Sequence, residues 1–278
     1  MIGEGLWSIW RPFVAAECFK LCRMRVARAA VIAMAVASPL IIGLVWLVGD
    51  DRMSTFPHVL ELIYLPAWLL GGLVGLLLTV EVMGSEFEQD TVRTVVGRGT
   101  PRWLFVGGKA VALLAAVVLN EMVCLFSGGA FAIFSHLCQA GTVGLAEGLG
   151  ELARSGLPVL SVVTLSGLAY AGILLLVVVL LRSAALSMLC GLLILGGDFV
   201  LVGFEVEGIA LGPYSIYRST LTLLSRVVKI EGMQSRVMPS GGEVASSGQA
   251  LFTLALYAAV GIGLAYYVFR QRVLVERK

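Results

Sequence analysis

Six apolar runs, each of about 20 residues or more, decide what this chain can fold into: 29 to 48, 62 to 80, 110 to 135, 157 to 181, 184 to 203 and 249 to 269. A helix needs roughly 20 apolar residues to cross about 30 Å of bilayer hydrocarbon. Inside that layer every backbone N–H and C=O must bond within its own segment, so runs of this length read as transmembrane helices. The fourth and fifth runs are separated only by Arg182 and Ser183. As one helix they would be about 70 Å long at about 1.5 Å per residue, so the chain must fold back there. Composition agrees: 59% of the 278 residues are hydrophobic and 14% charged, against roughly 45–50% and 25% in soluble domains. That excludes a soluble globule and a disordered chain. A net charge of +2 also argues against a nucleic-acid partner, which needs a basic face.

Lys and Arg positions orient the spans. Five precede the first run, four lie between the second and third, one is at the fourth-to-fifth turn and four follow the sixth; these 14 of the 20 basic residues share one side. The positive-inside rule makes that side cytoplasmic, with both termini on it, as in a multi-pass protein of the inner (cell) membrane. The start of the chain, with Glu4, Trp7, Trp10, Arg11 and Pro12, does not read as a cleaved signal peptide. Cys18, Cys22, Cys124, Cys138 and Cys190 are odd in number and scattered, so no disulfide framework is expected. The i, i+4 pair Cys18 and Cys22 lacks further ligands for a metal, and no metal or cofactor site is assigned to the chain.

Three segments are neither span nor simple turn. From 12 to 28, Phe13, Val14, Cys18, Leu21 and Cys22 recur at helical spacing beside Arg11, Lys20, Arg23 and Arg25, which predicts an interfacial helix. The loop 204 to 248 is too long to be structureless; Pro213, Tyr214, Tyr217, Leu221, Leu223 and Leu224 predict short helices dipping back toward the membrane on the extracytoplasmic side. Residues 81 to 109, EVMGSEFEQDTVRTVVGRGTPRWLFVGGK, carry the most information. Glu86, Glu88 and Asp90 precede Arg93 in the order a helix macrodipole favours, predicting a short helix from about Ser85 to Val96. Gly97 and Gly99 can end it, and Thr100 with Pro101 starts the next helix, which becomes the third span. A charged helix held between two spans, flanked by Arg98, Arg102 and Lys109, is a docking surface.

These residues resemble the permease subunits of type-2 ATP-binding cassette exporters. The family's pattern between spans two and three is matched by Glu86, Glu88 and Thr91, by the Pro101-Arg102 step and by Gly108-Lys109, while Asp90 stands where the family usually has glycine. The segment AECFKL, with Glu17 and Lys20, resembles the lead into span one, and LGPYSIYRSTLTLL the proline-led helical region after span five. The resemblance implies an all-α polytopic membrane protein in a single permease domain, with six transmembrane helices, an N-terminal interfacial helix, a cytoplasmic coupling helix at 81 to 109 and a structured extracytoplasmic loop. It further implies that Glu86, Glu88, Asp90, Thr91 and Arg93 dock a separate ABC ATPase subunit, that a second permease chain completes the path, and that ATP and magnesium bind the partner. The chain itself has no P-loop: Trp103 and Ala110 occupy positions where that motif requires Gly and Ser or Thr.

Within the spans, Glu121 beside Asn120 lies near the middle of the third run, where a carboxylate costs on the order of 2.5–3.5 kcal/mol. It either lines a translocation path or is neutralised or hydrogen-bonded against a neighbouring helix. Asp198 reads as a solvated interfacial group. Gly71, Gly72 and Gly75, and Gly191, Gly196 and Gly197, allow close helix contact, and Pro39 and Pro66 predict kinks. Sparse polar lining favours a hydrophobic, lipidic or peptide-like cargo. The competing readings are a non-transporting membrane anchor or assembly component that keeps the same docking helix and an ion-coupled secondary transporter, which internal repeats would support and which are absent here. An intramembrane hydrolase lacks a base at matched depth: His58 and His136 fall near the outer span ends.

Overall fold

The computed structural model describes residues 3–48, 56–89, 91–97, 99–140, 145–201, 214–228 and 246–275. Among them the regular structure is entirely helical. In chain order the elements are α1 (Gly3–Arg23), α2 (Arg25–Val48), α3 (Phe56–Thr79), a π-helical turn (Val80–Gly84), α4 (Ser85–Glu88), α5 (Thr91–Gly97), α6 (Arg102–Ala140), α7 (Leu145–Leu181), α8 (Ala184–Leu201), α9 (Ile216–Val228) and α10 (Ser247–Val275). Five helical stretches are long and apolar enough to cross a membrane, in α2, α3 with its extension to Glu88, α6, α7 and α10. The chain is an all-α polytopic membrane protein. The fifth apolar run forms the 18-residue α8, about 27 Å long and shorter than the other five.

Helix bounds differ from the apolar runs for a physical reason. Hydropathy marks the part of a helix that lipid covers, whereas helical hydrogen bonding continues into polar sequence. Thus α6 covers 39 residues rather than 110 to 135, and α7 starts at Leu145, taking in Arg154 before the run at 157. The helix expected at 12 to 28 begins at Gly3, ends at Arg23 and carries Pro12 in its interior. Pro12 is exposed, so the hydrogen bond it removes lies on the face of α1 turned away from the protein. The break to α2 is one residue wide: Met24 donates to Leu21 O at 3.0 Å and accepts from Arg28 N at 3.2 Å. Between α7 and α8 the chain does fold back at Arg182, a non-glycine residue at φ +53°.

Helices α3 and α7 form the centre, with 72% and 67% of their apolar windows buried, against 28% for α2 and 22% for α10. Glycine sets the closest crossing. A Cβ on Gly261 of α10 would overlap the Gly172 backbone of α7, and one on Gly172 would lie 3.0 Å from Ala258 O. In lipid this close backbone approach replaces the hydrophobic effect as the source of helix association. Gly261→Leu is expected to force α7 and α10 apart and destabilise the detergent-solubilised protein by about 1–3 kcal/mol. Gly263→Leu, two residues on in open space, should stay within about 0.5 kcal/mol; equal melting of the two variants would show that the crossing carries no strain.

Farther along the bundle, Ser38 of α2 donates to Ile63 O at 3.3 Å and lies 3.1 Å from Cys124 Sγ, and Tyr64 meets Ser155 Oγ at 2.7 Å. These contacts fix α2, α3, α6 and α7 relative to one another.

Candidate functional site

The segment between α3 and α6 is built around a buried charge cluster. The π-helical turn at Val80–Gly84 admits an extra residue, and Val82, Met83 and Gly84 turn inward there. Such turns recur at functional sites. Directly after it, α4 directs Glu86, 4% exposed, at Lys109, which is fully buried on α6. Lys109 Nζ lies 2.9 Å from Glu86 Oε1 and donates to Glu17 Oε2 at 2.9 Å and Val82 O at 3.5 Å. Three acceptors therefore face the three protons of an ammonium. Lys20, one turn beyond Glu17 on α1, also pairs with Glu86. Two acids and two bases thus tie α1, α4 and α6 together with balanced charge, and the ring of Phe105 lies under Lys109 at 5.0 Å. Glu86 Oε2 is buried and has no hydrogen-bond partner among the described residues.

Glycines bring α1 close enough for this. A Cβ on Gly108 would fall 2.6 Å from the Phe13 ring, and one on Gly107 would lie 3.1 Å from Trp10. Trp10 also stacks on Trp103, with centroids 5.6 Å apart. The Gly107-Gly108-Lys109 sequence in the second turn of α6 therefore gives α1 a flat seat and then a charged anchor.

Glu88 makes a different link. Its Oε1 accepts the backbone N–H of Ala184 at 2.9 Å, satisfying a donor at the start of α8, where helix termini leave N–H groups open. The expected single helix from Ser85 to Val96 is instead two pieces, α4 and α5, separated after Glu88. Thr91 donates to Glu86 O at 3.2 Å across that break. Val92 and Val96 of α5 are buried in the same core cluster as Phe105 and Phe269, whose rings stack at 5.3 Å. Gly99, at φ +92°, ends the segment and donates to Val96 O at 3.2 Å; Gly97 is still helical. Pro101 O then accepts from Leu104 and Phe105, starting α6 one residue later than expected.

On α4, α5 and the break between them the exposed described residues are Glu88, Gln89, Thr94 and Gly97. Beside it, a 530 Å³ concavity between the end of α5, the start of α6 and α10 is lined by Thr100, Pro101, Arg102 and Arg270, among others. Asp90 and Arg98 lie outside the described residues, as does the side chain of Arg93.

Asn120 and Glu121 stand apart from this cluster, in the middle of α6. Asn120 donates to Ala116 O at 2.8 Å. Glu121 is 1% exposed and faces α3, with Oε1 2.6 Å from where a Cβ on Gly71 would be. Neither of its oxygens has a hydrogen-bond partner among the described residues.

Glu17 and Lys20 precede the first apolar run, and their sequence position alone does not assign them to the site. Their i, i+3 spacing was the available signal, since it puts both on one helix face. Cys18, adjacent to them, has its thiol pKa raised, first by burial and then by Cys22 and Glu17; the five cysteines are free. No protein-family model matches the chain, and a search of the curated proteins gave no match.

Proposed function

We propose that this chain is the membrane-spanning permease subunit of a type-2 ABC exporter, moving a hydrophobic, lipidic or peptide-like cargo with energy from a separate ATPase subunit. In this reading the chain has six spans, with α8 as the fifth, and both termini face the cytoplasm of the cell membrane. A second permease chain pairs with it, and ATP and magnesium belong to the ATPase. The observation that carries the proposal is the anchoring of α4 and α5. The segment exposes Glu88, Gln89, Thr94 and Gly97, while its side chains reach α1 and α6 through buried Glu86, α8 through Glu88 at the exposed edge, and α10 through the Val92, Val96 and Phe269 cluster. A push on that face is delivered to four helices at once. The neighbouring concavity with Arg102 and Arg270 offers cationic groups to an acidic side chain of a partner.

Because Glu86 and Glu88 hold the fold, they do not test docking cleanly. Gln89→Trp with Thr94→Trp does, since both positions are exposed. The double variant should express and melt like the parent while the ATPase that co-purifies with the parent falls by about ten-fold, a loss of about 1.4 kcal/mol. Undiminished co-purification would remove the docking role. A non-transporting anchor would bind the ATPase equally well through the same face, and cargo transport driven by ATP in reconstituted vesicles separates it from an exporter.

A further inference from the structure

A second feature adjoins the charge cluster, one turn farther along α6. An open groove of 490 Å³ runs between α1, α2 and α6, lined by Cys22, Ala27, Arg28, Ala112, Ala115 and Asn120, among others. It exists because α6 presents alanines where leucines would close the gap. Its volume is that of a small-molecule pocket, and its apolar lining leaves water few partners, so it does not hold a stable water chain. Its wall on α6, from Ala112 to Asn120, is about 12 Å long and belongs to an apolar span. At the other end, by the one-residue break between α1 and α2, stand exposed Arg23, Arg25 and Arg28. Arg28 lines the groove itself and donates to Arg23 O at 3.5 Å; Arg23 stacks over Phe19 at 4.4 Å. An apolar slot with the exposed Arg28 in its lining has the shape of one amphiphile: hydrocarbon along the slot, anion at the guanidinium.

We propose that this groove is a specific site for one anionic phospholipid, its acyl chain along Ala112 to Asn120 and its phosphate at Arg28. The assignment does not depend on the exporter reading, because it requires only that the chain lies in a bilayer. Its consequence reaches the charge cluster. Ala112 is one turn beyond Lys109, and Cys18 follows Glu17, so a bound lipid wedges α1 against α6 beside the ion pairs and sets the angle at which α1 meets them.

The test uses the full-length protein reconstituted in vesicles of phosphatidylcholine with phosphatidylglycerol, extracted in mild detergent and passed through gel filtration, with the retained lipid measured by native mass spectrometry. The parent should keep one phospholipid per chain, with the ratio of bound phosphatidylglycerol to phosphatidylcholine about five-fold above that of the vesicle, the effect of one arginine near an anionic lipid. Ala115→Trp fills the groove from an exposed position and should lower retention of either lipid by about ten-fold; Ala115→Leu serves if the tryptophan variant does not fold. Arg28→Gln should leave a lipid bound but without the preference for phosphatidylglycerol. Retention unaffected by filling the groove overturns the site, a preference that survives Arg28→Gln overturns its headgroup assignment, and a bound amphiphile that is not a phospholipid overturns the occupant.

Discussion

Replacing Lys109 with methionine is expected to destabilise the protein by about 3–5 kcal/mol, the cost of stranding buried carboxylates when one partner of an ion pair is removed. Methionine matches the lysine stem in length and apolar character, so packing changes little and the effect isolates the charge. Two acids feel the loss. Among the described residues Glu86 keeps Lys20, whose side chain is 43% exposed; Glu17, 12% exposed, loses the ammonium 2.9 Å from its Oε2. The second substitution Glu86→Leu removes one stranded charge and should restore part of the stability, giving a coupling energy above about 1 kcal/mol in a double-mutant cycle of melting in detergent. Lys20→Met, at the solvated edge of the same cluster, should cost less than about 1 kcal/mol. A Lys109→Met protein as stable as its parent would mean that the cluster does not hold α1 to α6.

The five long apolar helices were legible because a bilayer imposes a length and excludes unpaired backbone, and both constraints act on contiguous sequence. The helix ends were not, as α6 and α7 show: polar residues at Arg102 and Arg154 continue a helix without continuing an apolar run. In the segment from 81 to 109, the residue types and their order pointed to one short helix from about Ser85 to Val96, and the structure has two, broken after Glu88. What sequence order could not supply was direction. The π-helical turn before Ser85 shifts every later residue by about 100° around the helix axis, which carries Glu86 from a presumed docking face into the core. Nothing local in VEVMG marks that turn. Glu17 and Lys109 meet 92 positions apart, a contact decided by Gly107 and Gly108 under Trp10 and Phe13, so it is a property of helix packing rather than of either segment.

Asp198 illustrates the same limit and supports the second large prediction. Its position near the end of an apolar run suggested a solvated interfacial carboxylate, yet it is half-buried and accepts three hydrogen bonds. Tyr170 of α7 donates to Oδ2 at 2.5 Å, and the backbone N–H groups of Ile216 and Tyr217 donate at 3.2 and 2.9 Å. Those two residues open α9. The next N–H, of Arg218, is taken by Ser215 Oγ at 3.1 Å, and Ser219 N makes the first helical bond to Ser215 O at 3.0 Å. Asp198 of α8 and Ser215, just before α9, thus satisfy the first three open donors of a helix whose residues from Arg218 to Ser225 are all buried. Asp198→Ala leaves Tyr170 and both amides without these acceptors and removes the negative charge favoured at a helix N-terminus. The expected loss is about 2–4 kcal/mol. It should be local, because α9 is held to α7 and α8 through this carboxylate, while the crossings of α2, α3, α6 and α7 rest on other contacts. Hydrogen exchange in detergent micelles should therefore show the amides from 216 to 228 losing protection in Asp198→Ala, with Asp198→Asn intermediate because one carbonyl oxygen remains to accept. Unchanged protection of α9 in the alanine variant would show that apolar packing around Leu221, Leu223 and Leu224 holds the helix without its cap.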